Sequence, residues 1–283
     1  MPSFETPEPI TATIDVAIGD VRISADVGGA TVVDVRPSDA TNDDDVRAAE
    51  STRVEYANRQ LLVTAPRRPW LSRSGGSIDV TIQLPAGSHV HGAGKVADFW
   101  CDGRFGECRI KTGLGHIRLD QAGTLSLTSG IGDISVERAT GHAEVTTGSG
   151  EVRARELDAS AVIKNSNGDT WVGIAGGDVR LGAANGSITV DLARASVVAK
   201  SANGDVRLGE VVRGSVVLET RLGDLDVGIR EGTAAWLDVS AKAGTIRNTL
   251  DAGGAPEASA ETVEVRARTS VGEIAIGRPR GDS

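Results

Sequence analysis

A glycine-led segment recurs along the second half of the chain with a spacing too regular for an ordinary globular domain. The copies GHIRL (115–119), GDISV (132–136), GEVRA (150–154), GDTWV (168–172), GSITV (186–190) and GDVRL (204–208) begin 17, 18, 18, 18 and 18 residues apart. Further copies start at Gly223, Gly244 and Gly272. A second series runs nine residues ahead, at Gly106, Gly123, Gly141, Ala159, Gly177, Ala195, Gly214, Ala235 and Val263. In each nine-residue motif the third and fifth positions are apolar or small and the second and fourth are mostly polar, the period-two pattern of a half-buried strand. Ile134 and Val136 are therefore expected to point inward, and Asp133 and Ser135 outward. Strands this short cannot bury an apolar face alone, but successive coils stacked in register make parallel sheets around a narrow core. The predicted fold is all-β, a β-solenoid of about nine or ten two-strand coils. Small inward residues such as Ala143, Ala154, Ala161 and Ala199 suit so narrow a core.

The first 95 residues follow this pattern loosely. Alternation predicts strands over 11–16, 19–25, 30–35, 53–57, 60–64 and 76–84, with a short helix over 43–52 after an Asn/Asp-rich start. Residues 1–95 are expected to form an irregular β cap and 96–283 the repeat region, because a stack must shield its terminal unpaired strands. Residues 67–76, with Trp70, and residues 251–261, rich in Ala, Gly and Pro, are expected to be loops. The strand at 272–276 is expected to close the stack.

Composition agrees with many tight turns between strands packed by small aliphatics. The chain has 36 glycines, 3% aromatic residues and one methionine, and its 39% hydrophobic content is enough for a continuous core. A formal charge of −9 argues against nucleic acid as a partner. The first residues carry acids and prolines where a signal peptide needs a basic and then an apolar run, and no later apolar stretch reaches the length of a membrane span. The expectation is a cytoplasmic protein without membrane insertion. Cys101 and Cys108 take the fifth position of the motif at Ala97 and the third of the motif at Gly106, so both should face the core. Two cysteines make neither a disulfide framework nor, without companion ligands, a zinc site.

Columns of like residues are the candidates for chemistry. Asn167, Asn185 and Asn203 precede the glycine in three successive coils, where their amides could form a hydrogen-bonded ladder or line a polar groove. Asp133, Glu151, Asp169, Asp205 and Asp224 share the second position, a column that could hold Ca²⁺ or act as paired acid and base. Arg118, Arg153, Arg207 and Arg247 stand at the fourth position on the same outward face, and a solvated surface of mutually screening charges explains both columns more simply. No motif carries the glycine and aspartate spacing of the calcium-binding nonapeptide repeat. His116 and His142 fall at outward positions, and neither a G-x-S-x-G elbow nor an H-E-x-x-H motif occurs. No catalytic residue, metal or cofactor is assigned on these grounds. Trp171 and Trp236 occupy outward positions where an indole could anchor a protein or stack on a sugar, unless neighbouring segments cover it.

Four stretches carry a family resemblance: FETPEPI (4–10), VIKNSNGDTW (162–171), RGSVVLET (213–220) and EGTAAWLDV (231–239). With them, nearly the whole chain resembles the uncharacterised bacterial β-strand-repeat family labelled "putative adhesin", in particular its cytoplasmic-type actinobacterial members. The resemblance implies a non-enzymatic β-solenoid and carries over no catalytic or ligand residue. The expected function is a scaffold or protein-interaction module, with Trp171, Trp236, Asn167, Asn185 and Asn203 as candidate contacts. The alternative is a β-helical protein that binds or cleaves carbohydrate.

Overall fold

The computed structural model describes residues 2–26, 28–65, 76–250 and 261–279. The loops expected at 67–76 and 251–261 lie, apart from Gly76 and Glu261, outside the described residues. The chain divides into two compact units, Met1–Thr140 and Gly141–Ser283.

The second unit is the repeat in its regular form. Strands Ala143–Ser149, Ala161–Asn167, Val179–Asn185, Val197–Asn203 and Gly214–Leu222 pair in parallel and in register, Ala143 beside Ala161, Val179 beside Val197. A second series, Val152–Leu157, Thr170–Ala175, Ile188–Ala193, Val206–Val211 and Leu225–Ile229, does the same. Third- and fifth-position side chains such as Val152, Ala154, Ile188, Val190, Val206 and Leu208 are buried, as the alternation requires. The stacking order then departs from the chain order. Thr262–Val271 lies against Gly214–Leu222, and Ala234–Ala243 pairs with the far side of Thr262–Val271. Ile274–Gly277 likewise sits between Leu225–Ile229 and Ile246–Asn248. The coil made of Ala234–Ala243 and Ile246–Asn248 is thus the last in the stack, and the later strands fill the place beneath it.

The first unit inserts a strand in the same way. Thr11–Asp26 runs parallel to His89–Leu114 on one side and to Gln60–Thr64 and Ile78–Pro85 on the other. Gly19-Asp20-Val21-Arg22-Ile23 is a copy of the motif, aligned with the segment that starts at Ala97, and Ala12, Ile14, Val21 and Ile23 are buried. Parallel stacking therefore begins at residue 11, and position 95/96 lies inside the strand His89–Leu114. The irregular cap consists of what remains. Ala30–Pro37 pairs antiparallel with Ile78–Pro85, Ser3–Glu5 with Ala30–Pro37, and Arg53–Ala57 with Gln60–Thr64. The last pair turns through Asn58 and Arg59, both at positive φ, the two-residue turn whose twist suits a hairpin. The helix Asp43–Ser51 is capped by Asn42, whose side chain accepts from the Asp44 N–H. Its buried Asp45 accepts from the Asp39 and Ser77 backbone N–H groups, pinning the helix to the adjoining strand.

Each coil meets the same problem at its turn, and the sequence solves it with two residues. Gly186 has φ 141°, and a Cβ there would sit 2.1 Å from the Gly168 carbonyl oxygen of the preceding coil. Only glycine tolerates both conditions. The close approach leaves the glycine carbonyls without a partner in the strand ladder. A buried Ser, Thr or Asn at the seventh position of the next coil donates to them: Ser129 to Gly115, Ser201 to Gly186, Thr220 to Gly204, Thr269 to Gly223. Asn165 reaches two, the carbonyls of Gly150 (3.0 Å) and Gly168 (2.9 Å), so the next coil can carry Ala183 at this position.

Candidate binding surface

The outward second-position column is committed to the backbone. In several turns the N–H of the second residue donates to the second-position side chain of the coil before it. Ser187 N–H donates to Asp169 Oδ1 at 2.8 Å, Asp224 to Asp205 at 2.8 Å and Glu273 to Asp224 at 2.7 Å. The histidines take part in the same way, with His116 Nδ1 accepting from Asp133 N–H and His89 Nδ1 from Glu107 N–H. The other strand series repeats it through Asp178 and Ser196. Carboxylate, hydroxyl and imidazole are interchangeable here because each supplies one acceptor. These acids stabilise the stack coil by coil. Among the described residues no group of three or more His, Cys, Asp or Glu side chains is placed to hold a metal ion.

Asn167, Asn185 and Asn203 form the expected ladder. Asn203 Nδ2 donates to Asn185 Oδ1 and Asn185 Nδ2 to Asn167 Oδ1, both at 2.8 Å, and Asn167 ends the chain of bonds on the Gly148 carbonyl. All three remain exposed. The same ninth position carries aliphatic residues in other coils. In the second unit Leu222 and Val271 stand side by side, 53% and 51% exposed. In the first, Leu114 and Ile131 are neighbours at 44% and 57%, and Val96 occupies the equivalent place one coil back at 44%. Each unit therefore presents a short apolar ridge along its turns, which alternation alone had no means to flag: a residue between two inward strands reads as core.

The two tryptophans differ. Trp171 is half-buried: its Nε1 donates to Asp191 Oδ2 at 3.1 Å and its ring lies against Gly173, where a Cβ would come within 3.1 Å of the indole. Trp236 lies on the outermost coil of the second unit and is 73% exposed. Cys101 and Cys108 are free, buried thiols. Burial pushes Cys101 well above the ordinary thiol range and Cys108 to about 12, so neither is a thiolate nucleophile at neutral pH.

Regular parallel coils, polar columns consumed by the turns and outward ridges define a β-solenoid of the strand-repeat class. The chain belongs to the Toastrack DUF4097 family, whose model matches residues 11–277. Similar solved structures include a "putative adhesin" from Bacteroides fragilis (14% identity, covering 97% of this chain and 95% of that one, TM-score 0.42). Others bearing the same description come from Parabacteroides merdae (11% identity, 80% and 94% covered, TM-score 0.45) and Parabacteroides distasonis (15% identity, 97% and 95% covered, TM-score 0.40). No curated protein matches the chain. Among the described residues no helix is long and apolar enough to cross a membrane.

Proposed function

We propose that this protein is a non-catalytic scaffold that docks a protein partner along its apolar ridges. The observation that carries the reading is the ninth-position column, where Leu114 and Ile131 in one unit and Leu222 and Val271 in the other stand exposed at regular coil spacing. Large aliphatic side chains aligned at the ~4.8 Å strand separation offer a preformed strip that costs little conformational entropy to bury. Trp236 is a further anchor of the kind that dominates interface energy. Use of Asp169, Asp205 and Asp224 as turn caps supports a non-enzymatic role, because these acids already have backbone partners.

The test is affinity capture of the tagged protein from a lysate of its source cells, beside the double variant Leu114→Ser/Ile131→Ser and the single variant Trp236→Ala. Circular dichroism and melting temperature confirm that each variant is folded. One partner enriched by the parent chain and lost by at least ~10-fold from the ridge variant supports the reading. Equal capture by parent and ridge variant overturns the ridge as the docking face.

A further inference from the structure

The second unit also contains a small cavity that the ridges do not involve. Three neighbouring coils carry glycine at the sixth position of the same strand series, Gly209, Gly228 and Gly277; none projects a side chain, and the Pro279 backbone covers the buried Gly228. The glycines are in contact: a Cβ on Gly228 would lie 1.9 Å from the Gly209 oxygen, and Gly228 is the register partner of Gly277. At Gly173, earlier in the same column, the Trp171 ring fills the equivalent space. Over the three later glycines there is instead a cavity of about 280 Å³.

Its walls are charged. Arg207, Arg247 and Arg278 line it together with one carboxylate, Asp226, which pairs in register with Arg207. Arg278 is held in place, its Nη1 donating to the carbonyls of Ile229 at 3.3 Å and Arg230 at 2.5 Å. Arg247 reaches Glu273 at 3.3 Å. The side chains of Arg207 and Asp226 make no hydrogen bond or ion pair with any described residue. Three guanidinium groups against the lining Asp226 and the Glu273 carboxylate on Arg247 leave a local excess of positive charge on a chain of net charge −9.

We infer that this cavity binds a uronate, one acidic sugar ring of a polyanionic saccharide. The argument rests on the combination of groups. Guanidinium pairs with carboxylate in a planar, two-bond geometry, and the repulsion that Asp226 exerts on any anion is offset only for a ligand whose hydroxyls it can accept from, as a sugar's can and inorganic phosphate's charged oxygens cannot. The missing side chains at Gly209, Gly228 and Gly277 leave room between the arginines for a ring. The volume falls just under the ~300–1,000 Å³ of drug-sized pockets, which limits the occupant to a single ring. This inference is independent of the scaffold reading, since it concerns other residues and another class of ligand.

Isothermal titration of the full chain with tri-galacturonate, neutral tri-galactose and inorganic phosphate tests it, with Arg207→Met and Asp226→Asn as variants. The expected result is saturable binding of tri-galacturonate only, weakened at least ~10-fold in each variant, with melting temperatures unchanged. Asp226→Asn should also let phosphate bind, because the repelling charge is gone. Absence of tri-galacturonate binding, equal binding of the neutral trisaccharide, or phosphate bound as tightly as tri-galacturonate by the parent chain would each overturn the inference.

Discussion

The outermost coils of the two units begin from the same device and end differently. In both, a strand distant in sequence is inserted beneath the outermost coil: Thr11–Asp26 under the coil of Gln60–Thr64 and Ile78–Pro85, Thr262–Val271 under Ala234–Ala243. The first unit then covers that coil with antiparallel strands Arg53–Ala57 and Ala30–Pro37 and with a capped helix. Short edge strands bearing charges, such as Arg53 and Glu55, are a recognised defence against edge-to-edge pairing. The second unit leaves Ala234–Ala243 with one neighbour among the described residues. The inward-register Leu237 and Val239 are only half-buried there, and Ile246 is 46% exposed. Stability in a stack is a sum over neighbouring coils, so the open coil should be the weakest part of its unit and the covered one should not.

The most severe test of that contrast compares equivalent glycines. Gly186→Ala forces a Cβ against the Gly168 oxygen between two coils that both have further neighbours, and should cost about 4 kcal/mol in urea unfolding. Gly244→Ala creates a clash with Gly272 just as close, at 1.8 Å, but the outermost coil can lift away, so a loss of about 1 kcal/mol is expected. Equal losses would show that the open coil is as firmly held as the interior. Next in size is Asn165→Ala, which strips the partly buried carbonyls of Gly150 and Gly168 of this donor and should lower stability by about 2 to 3 kcal/mol. Asp45→Ala removes the acceptor of two backbone N–H groups beneath the covering helix. A loss of about 2 kcal/mol is expected, with faster hydrogen exchange at Ser77 and in Ile78–Pro85 and none in the second unit.

The smallest effect depends on pH. Asp20 stands in register between Asp79 and Asp98, and burial, followed by the Asp98 and Asp79 charges, raises its pKa against the opposing pull of Arg22. A raised carboxylate favours the folded state below the ordinary value of ~3.9, and that contribution is lost as pH climbs through the folded value. Asp20→Asn should therefore raise the melting temperature slightly at pH 7, with the difference closing near pH 3. A stabilisation that persists unchanged at low pH would assign the effect to something other than charge.

The repeat was open to reading because glycine at the first position and alternation at the third and fifth are local facts of sequence. The jobs of the polar columns were not, since an acid that caps the amide of the next coil looks the same in sequence as one facing water. Asp169 and Ser187 show this: their bond joins residues 18 apart and depends on the turn geometry. The first copy of the motif, at Gly19, was hidden because its partners begin at Ile78 and Ala97, far outside an 18-residue spacing. The seventh-position Ser, Thr and Asn recur in the sequence, yet they sit on the inward alternation, where a polar residue reads as an interruption until the glycine carbonyls opposite are seen. Leu114 and Ile131 are the converse case, aliphatic residues on the inward alternation that the turn carries outward. Of the candidate contacts, the asparagines are bonded to one another and Trp171 is folded onto its own sheet, and Trp236 alone is left largely bare.

The inserted strands bear on how such a chain is made. A simple solenoid can grow like a coil of rope, each turn laid on the last as it leaves the ribosome. Here Ala234–Ala243 emerges before the strand that must lie beneath it, so that turn has no lasting seat until Thr262–Val271 arrives. Cutting the chain before residue 262 would therefore not trim one layer from the pile; it would remove a rung from within it and strand the layer above.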